Sequence, residues 1–345
     1  MTITRVAAWL VTIALILTLV VVGKSYLIPV FLALFIWYLV NAINNLIRQI
    51  PFIGKSPKGV TLALSFVFIG LCLYFVGGMI TNTVNEFVST AGNYSQRLDD
   101  QIARFYQLLG IERTPPTLKD LDLPAQLGNN FMVLLNGATA AAKNFFLVLI
   151  YVIFLLLEQG SFPKKLKALG LTGLQADRLE TVLNQINTAM RQYLGVKTLM
   201  SVLTAILSYF VFWGLKLDYA LFWAFLIFLF NYVPSIGSIV ATFLPAMLAL
   251  LQFDGISAFL IIALGVSAIQ VAIGNILEPR LMGDTLNISP LVVILALILW
   301  SILWGVVGML LSVPITVAIV IICAQFPSTR RVAILLSKDG KIANM

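Results

Sequence analysis

Glu278 is the acidic residue best placed to do chemistry, because it directly follows an apolar run within the segment GNILEPR (274–280). Ionisable side chains near bilayer depth are costly and usually mark a functional site. A carboxyl group there could bind and release protons, which predicts that Glu278 lies on an ion pathway. The alternative is an interfacial ion pair with Arg280 that only holds a loop in place.

Uncharged polar side chains also interrupt the apolar runs of the C-terminal half. They suit a small, polar, neutral solute, because an unpaired hydrogen-bonding group is expensive in hydrocarbon. Proline breaks nearby free backbone carbonyls that could coordinate sodium. The alternative for each polar group is a hydrogen bond to a neighbouring helix. The polar candidates are Asn231, Gln270, Asn275 and Ser289, and the proline positions are Pro234, Pro245 and Pro314.

Other kinds of chemistry have no support in the sequence. Histidine is absent, which removes the commonest metal ligand and the commonest general base near neutral pH. The chain has no phosphate-binding glycine loop, no paired metal ligands and no nucleophilic serine elbow. We therefore expect neither an enzyme nor a cofactor or metal site, and an ATP-driven pump would need a separate ATP-binding subunit. The net charge of +8 is scattered between apolar runs, so nucleic acid is not an expected partner.

The composition is that of a membrane protein. Hydrophobic residues make up 60% of the 345-residue chain and charged residues only 10%, and the mean hydropathy is +1.01. Soluble proteins carry about 25% charged residues, so membrane lipids must solvate much of this surface. The expected fold class is all-α, a polytopic helical membrane protein with about eight membrane segments. Two of these segments are candidate re-entrant hairpins.

Runs of roughly 20 apolar residues, the length that spans hydrocarbon, define the order of segments. The segment Gly23-Lys24-Ser25 separates the first two runs, Ile3–Val22 and Tyr26–Ile47, which predicts a helical hairpin. The resulting segments are N-terminal transmembrane helices (1–83), an extracytoplasmic amphipathic helical insertion (84–130), a transmembrane helix (131–158), a cytoplasmic amphipathic helix (159–197), a C-terminal core with repeated broken helices (198–326) and a cytoplasmic tail (327–345).

Three short basic segments indicate the orientation of the chain: Arg48–Lys58, Lys164–Lys167 and Arg330–Lys341. Basic loops stay in the cytoplasm, and all three segments fit one arrangement in which the insertion is extracytoplasmic. Together with a hairpin at Gly23, this arrangement predicts that both termini are cytoplasmic.

Two segments of the C-terminal core resemble each other. Each is an apolar run, a glycine-bearing break, a second apolar run and a proline, with 14 residues from Asn231 to Pro245 and from Trp300 to Pro314. Arms of about 15 residues reach only about 22 Å, less than the roughly 30 Å of hydrocarbon. The pattern predicts two re-entrant hairpins that form an inverted pair, as in secondary transporters. The alternative is four ordinary, tightly turned spans.

Three motifs, taken together, are specific. FNYVPSIGSIVATFLPA (230–246), GNILEPRLMG (274–283) and GVVGMLLSVPITV (305–317) resemble the autoinducer-2 exporter family of bacterial transporters, and the likeness covers nearly the whole chain. The resemblance implies a multi-pass protein of the bacterial inner membrane, either linked to export of the quorum-sensing signal autoinducer-2 or similar to sodium–proton antiporters. It also implies a homopentamer whose protomers move hairpins in an elevator-like way.

The resemblance also implicates particular residues. One departure is Ser238, which follows Gly237 where many members have proline, and which would change the geometry of the hairpin tip. Gly305 joins the candidates as the break in the second repeated unit. The positions carried over by motif are Asn231, Pro234, Gly237, Asn275, Glu278, Pro279, Arg280, Gly283, Gly308 and Pro314.

The favoured function is a secondary active transporter that exports a small polar solute, coupled to a proton or sodium gradient. A sodium(lithium)/proton antiporter is the first alternative, and the scarcity of intramembrane acids counts against it. A passive channel or membrane scaffold is the second alternative, which the proline breaks in repeated units disfavour. The expected partners are the solute, the coupling ion, membrane lipids and further copies of the chain.

Overall fold

The structure is a computed structural model that describes residues 3–49, 56–108, 146–168, 174–283 and 286–340. Within these ranges the chain is helical except for turns, short connections and an isolated β-bridge between Ile288 and Ser337. The helices are α1 (Ile3–Val22), α2 (Lys24–Arg48), α3 (Lys58–Leu108), α4 (Phe146–Glu158), α5 (Phe162–Ala168), α6 (Leu174–Leu215), α7 (Ala220–Phe230), α8 (Ile236–Gln252), α9 (Ser257–Val271), a π-helix (Ala272–Leu277), α10 (Glu278–Met282), α11 (Pro290–Gln325) and α12 (Arg330–Leu336).

The prediction of an all-α polytopic membrane protein is confirmed. Among the described residues, five helical segments are long and apolar enough to cross a membrane: Lys24–Arg48, Gly59–Phe87, Ala176–Leu215, Ser257–Met282 and Pro290–Gln325. Shorter apolar helices accompany them at Leu10–Val22, Phe146–Glu158, Ala220–Phe230 and Ile236–Gln252. The start of the predicted transmembrane helix 131–158 and most of the second half of the predicted insertion lie outside the described residues.

The predicted hairpin at Gly23 is wrong. The Gly23 amide donates to the Leu19 carbonyl at 2.8 Å, and the Gly23 carbonyl accepts from the Leu27 amide at 2.9 Å. These are the i to i−4 bonds of a continuing α-helix. Gly23 has φ −78 and ψ 2, near the helical region, so α1 runs on into α2 with a bend instead of a reversal. The prediction that the N-terminus is cytoplasmic relied on this hairpin and therefore no longer has that support.

Two further helices are longer than the sequence pattern indicates. α3 contains 51 residues, so the third apolar run and the amphipathic stretch after it form one helix of roughly 77 Å. α6 contains 42 residues and joins the basic amphipathic stretch to the fifth apolar run in one helix of roughly 63 Å. In α3 the apolar part comes first and in α6 it comes second, and in both helices the backbone continues without a break between the two parts.

The chain divides into two compact units. The first unit contains residues 1–65, 144–197 and 279–345, and the second contains residues 66–143 and 198–278. In the first unit, α11 packs with α12 and with α1 and α2. In the second unit, α8 packs against α7 and α9, and the C-terminal half of α6 contributes Phe212 to the same core.

The second unit contains a helical hairpin built from α7 and α8, called hairpin 1. Its tip, residues 231–235, reverses the chain in a few residues. A β-carbon built on Gly237 would lie 1.8 Å from the Phe230 carbonyl oxygen, so the two arms touch backbone to backbone. Ser235 has a φ of 59° within the tip, a conformation that is costly for a residue with a β-carbon.

The first unit contains a second helical hairpin, called hairpin 2, which is formed by α11 alone. Gly305 has φ 63 and ψ −140, and the chain folds back there. A β-carbon on Gly308 would lie 1.8 Å from the Trp300 carbonyl oxygen. Residues eight apart in a straight helix are separated by about 12 Å along the axis, so this contact requires a reversal.

Both predicted fold-backs are present, but the residues that correspond in the two hairpins are not the ones that the sequence pattern pairs. Each hairpin brings a glycine against a carbonyl of the preceding arm, with Gly237 facing Phe230 and Gly308 facing Trp300. The glycine therefore follows its partner by seven residues in hairpin 1 and by eight in hairpin 2. The matching 14-residue spacings to Pro245 and Pro314 consequently do not mark structurally equivalent prolines.

Candidate functional site

An open groove between α8 and α9 is the candidate site in the second unit. Its cavity volume is about 360 Å³. Ser238, Thr242, Ser267, Gln270 and Asn275 supply the polar part of its lining, and no charged side chain lines it among the described residues. The remaining lining is apolar: Ile239, Phe243, Ala246, Phe259, Ala263 and Val271. The groove thus offers neutral hydrogen-bonding groups beside aromatic and aliphatic surface.

The antiparallel arrangement of α8 and α9 concentrates these polar groups at one end. Ser238 lies in the first turn of α8, next to the tip of hairpin 1, while Gln270 and Asn275 lie at the far end of α9 and in the π-helix. Ala246 and Phe259 lie toward the opposite end of the groove, near the α8–α9 connection. A solute with both polar and apolar faces would find complementary surfaces along its length.

Thr242 has an unsatisfied hydroxyl in the wall of this groove. It is 9% exposed, and its Oγ1 has no hydrogen-bond partner within the described part of the chain. An unpaired buried hydroxyl costs about 1–3 kcal/mol, so native proteins rarely leave one without a ligand or water to bind. Because it lines the groove, the Thr242 hydroxyl is a candidate hydrogen-bonding group for a bound solute.

The π-helix turns Asn275 toward the groove. In an α-helix each residue advances about 100°, which would place residue i+5 about 140° away from Gln270. A π-turn, with bonds from i to i+5, returns that residue to nearly the same face. The segment Ala272–Leu277 is π-helical, and both Gln270 and Asn275 line the groove. Such π segments often occur at functional sites.

The tip of hairpin 1 and the first turn of α8 hold three of the residues singled out from the sequence. Asn231 ends α7 and donates from Nδ2 to Ser201 Oγ of α6 at 3.0 Å. The Pro234 carbonyl accepts from the Ile236 amide at 2.6 Å, and Gly237 makes the close backbone contact. Pro245 lies buried in α8, eight residues farther along the arm, and does not line the groove.

The motif GNILEPRLMG (274–283), which contains Glu278, covers the end of the π-helix and all of α10. Glu278 begins α10 and is half-buried, while Pro279 and Arg280 are exposed in the same short helix. Gly283 follows with a φ of 56°, and its amide donates to the Pro279 carbonyl at 3.0 Å. Glu278 follows the groove residue Asn275 by three positions but is not part of the groove lining.

The other candidate residues belong to hairpin 2 in the first unit. Ser289 precedes α11, and its amide donates to the Leu336 carbonyl at 3.0 Å, which ties the start of the hairpin to the C-terminal tail. Gly305 and Gly308 form the fold-back and its close contact. Pro314 is buried in the second arm. Gly305 and Gly308 thus shape the backbone of the hairpin, and Ser289 anchors its start.

Sequence reasoning missed Thr242 and Ser267 as groove residues, and it named Ser238 only as a departure from the family motif. Ser238 and Thr242 are four apart, and Ser267 and Gln270 are three apart, so helical spacing could have paired them.

Comparison with known proteins gives a consistent result. Residues 10–328 match the family model described as AI-2E family transporter. A protein of Haemophilus influenzae named "Putative transport protein" is 31% identical over 338 residues, covering 96% of each chain. The AI-2 transport protein TqsA of Escherichia coli is 28% identical over 323 residues, covering 92% of this chain and 91% of its own.

Proposed function

Because this chain belongs to the AI-2E transporter family, we propose that it is a secondary active transporter that exports a small, polar, uncharged solute through the groove between α8 and α9. The observation that carries the proposal is the neutral polar lining of that groove, together with the orphaned hydroxyl of Thr242. A charged solute would need a counter-charge at this depth, and the described lining has none. A small signal related to autoinducer-2 fits this class.

The short first arm of hairpin 1 supports a broken, re-entrant element. α7 contains 11 residues and is therefore about 16 Å long, roughly half of the hydrocarbon thickness. Helical arms that stop within the membrane place turn backbone at depth, which is tolerated where it is buried in protein or lines a cavity. Hairpin 1 meets that condition, because Ser238 joins its tip region to the groove.

Each hairpin is anchored at its base within its own unit. The Gln252 carbonyl at the base of hairpin 1 accepts a hydrogen bond from Arg97 of α3. At the base of hairpin 2, Gln325 Nε2 donates to Gln185 Oε1 at 3.0 Å, and the Lys338 amide donates to the Asn287 carbonyl. Each hairpin is thus held at its base, as the re-entrant elements of the proposed transporter require.

A proteoliposome assay tests the proposed solute site. Radiolabelled autoinducer-2 and uncharged sugars of similar size would be offered with imposed pH or sodium gradients. We expect saturable flux in the parent protein, and a loss of tenfold or more in Asn275→Ala and Gln270→Ala. The matched controls Asn45→Ala and Gln159→Ala change exposed residues of the same types outside the groove. Equal flux in groove and control variants would contradict the assignment.

The alternatives give different results in the same vesicles. A sodium(lithium)/proton antiporter would move protons in response to salt with no organic solute present. A passive channel would show neither saturation nor gradient dependence. Chemical cross-linking in the membrane would measure the number of protomers, for which the family resemblance implies five. Localisation to the inner membrane would be checked by fractionation.

A further inference from the structure

The tip of hairpin 1 is joined to α6 by two neighbouring side-chain hydrogen bonds. Asn231 Nδ2 donates to Ser201 Oγ at 3.0 Å, and the hydroxyls of Tyr232 and Thr198 are 2.7 Å apart. Ser201 is fully buried and Tyr232 is 5% exposed, so water does not compete freely for either bond. All of these residues lie in the second unit.

The spacing of the four residues makes this a two-point attachment. Thr198 and Ser201 are three apart on α6 and so share one helix face, while Asn231 and Tyr232 are consecutive in the tip. Two bonds separated in this way restrain both the distance and the rotation of the tip. All four groups are neutral, so release of the tip separates no charges and the attachment is reversible.

The backbone of the tip is strained at one residue. Ser235 has φ 59 and ψ −60, outside the regions that residues with a β-carbon normally occupy. Strained residues of this kind persist only where surrounding contacts hold them. The hydrogen bonds to Thr198 and Ser201 are contacts that can do so.

A displacement of the tip would be transmitted to the groove. Ser238 begins the groove lining, and its Oγ donates to the Ser235 carbonyl at 2.9 Å. Gly237 lies against Phe230, so this part of α8 cannot shift without moving the adjacent arm. The tip and the polar end of the groove therefore form one mechanical element.

We propose that the pairs Asn231–Ser201 and Tyr232–Thr198 form a latch that holds the tip of hairpin 1, and with it the polar end of the groove, in the position of this structure, and that breaking the latch is a step of the transport cycle. This inference rests on the proposed function, since it assigns a gate to the same solute site. The four side chains are positioning residues, because they act through the tip and not by touching the solute.

The experiment measures movement at the polar end of the groove separately from transport. Cys72 and Cys323 would be replaced by alanine and Ser238 by cysteine, and the rate of alkylation by N-ethylmaleimide would be followed in membranes. We expect Tyr232→Phe and Thr198→Val each to raise that rate at least threefold. The double variant should add little, because both changes remove the same bond. Thr198→Ser retains the hydroxyl and should restore the parent rate.

Tyr209→Phe is the matched control, since it removes a tyrosine hydroxyl from the α6 membrane segment away from the tip. The latch is overturned if Tyr232→Phe and Thr198→Val match that control, or if their effects simply multiply.

If either variant fails to reach the membrane, Ser201→Ala probes the second bond in the same way. A threefold rise in alkylation with no solute flux in any protein would keep the latch and reject the transport proposal. Parent flux with unchanged alkylation would reject the latch alone.

Discussion

Gly308 lies so close to Trp300 that a β-carbon on the glycine would be 1.8 Å from the Trp300 carbonyl oxygen. Gly237 stands in the same relation to Phe230. Real β-carbons essentially never lie within 3.0 Å of a non-bonded heavy atom. Each hairpin therefore depends on the absence of a side chain at one position. The atom met is backbone oxygen, which cannot move aside as the end of a flexible side chain would.

Gly308→Ala should therefore separate the arms of hairpin 2. We expect the free energy of unfolding to fall by about 1–3 kcal/mol, the usual cost of overpacking, because the arm itself must shift. The measurement is the thermal unfolding midpoint in detergent. Gly195→Ala is the control, because no atom lies within 4 Å of its added β-carbon and alanine favours the helix by about 0.5–1 kcal/mol. Similar midpoints for the two variants would refute the close contact.

Thr242→Val should separate stability from transport. Removing an orphaned hydroxyl relieves an unpaired polar group, so we expect unchanged or slightly raised thermal stability, together with weaker solute affinity. Thr316→Val gives the contrast, because the Thr316 hydroxyl donates to the Ser312 carbonyl at 2.6 Å and its loss should cost about 1 kcal/mol. A Thr242→Val protein with lower stability than Thr316→Val would show that the hydroxyl has a partner after all.

The sequence predicted the class of fold and much of the composition of the site because both depend on local pattern. Apolar runs report burial in lipid directly, and Gln270 and Asn275 were visible as polar residues within or beside an apolar run. The glycine breaks at Gly237 and Gly305 indicated the fold-backs, because reversal of a helix requires local backbone freedom.

What the sequence could not supply was the course of the backbone at ambiguous junctions. Gly23 followed by Lys24 is compatible with either a turn or a continuing helix, and the hydrogen bonds show the helix. The π-helix that orients Asn275 has no simple residue signature. Thr242 was overlooked because an isolated threonine in an apolar helix usually bonds its own backbone, as Thr204 does with Met200.

Gln252→Ala should loosen the base of hairpin 1. The Gln252 side chain donates to the Lys216 carbonyl at 2.8 Å and accepts from the Asp218 amide at 2.7 Å. Lys216 and Tyr219 both have φ near 60°, so this connection needs external support. Each of these hydrogen bonds contributes about 0.5–1.5 kcal/mol to stability. Because their loss makes local opening easier, we expect faster hydrogen exchange at the Asp218 amide. Gln107→Ala on α3 is the control, and exchange that matches it would rule out the support.

Glu278→Gln should uncouple flux from the ion gradient while leaving the protein folded in the membrane. The isosteric amide keeps the shape of this half-buried side chain at the end of an apolar helix but removes its ionisable group. In vesicles with an imposed pH gradient, we expect the variant to bind the solute but to lose the dependence of flux on pH. Glu158→Gln is the matched control, because Glu158 pairs with Lys165 in an exposed turn. Flux through Glu278→Gln that follows pH as the parent does would remove Glu278 from the ion pathway and return it to a structural role.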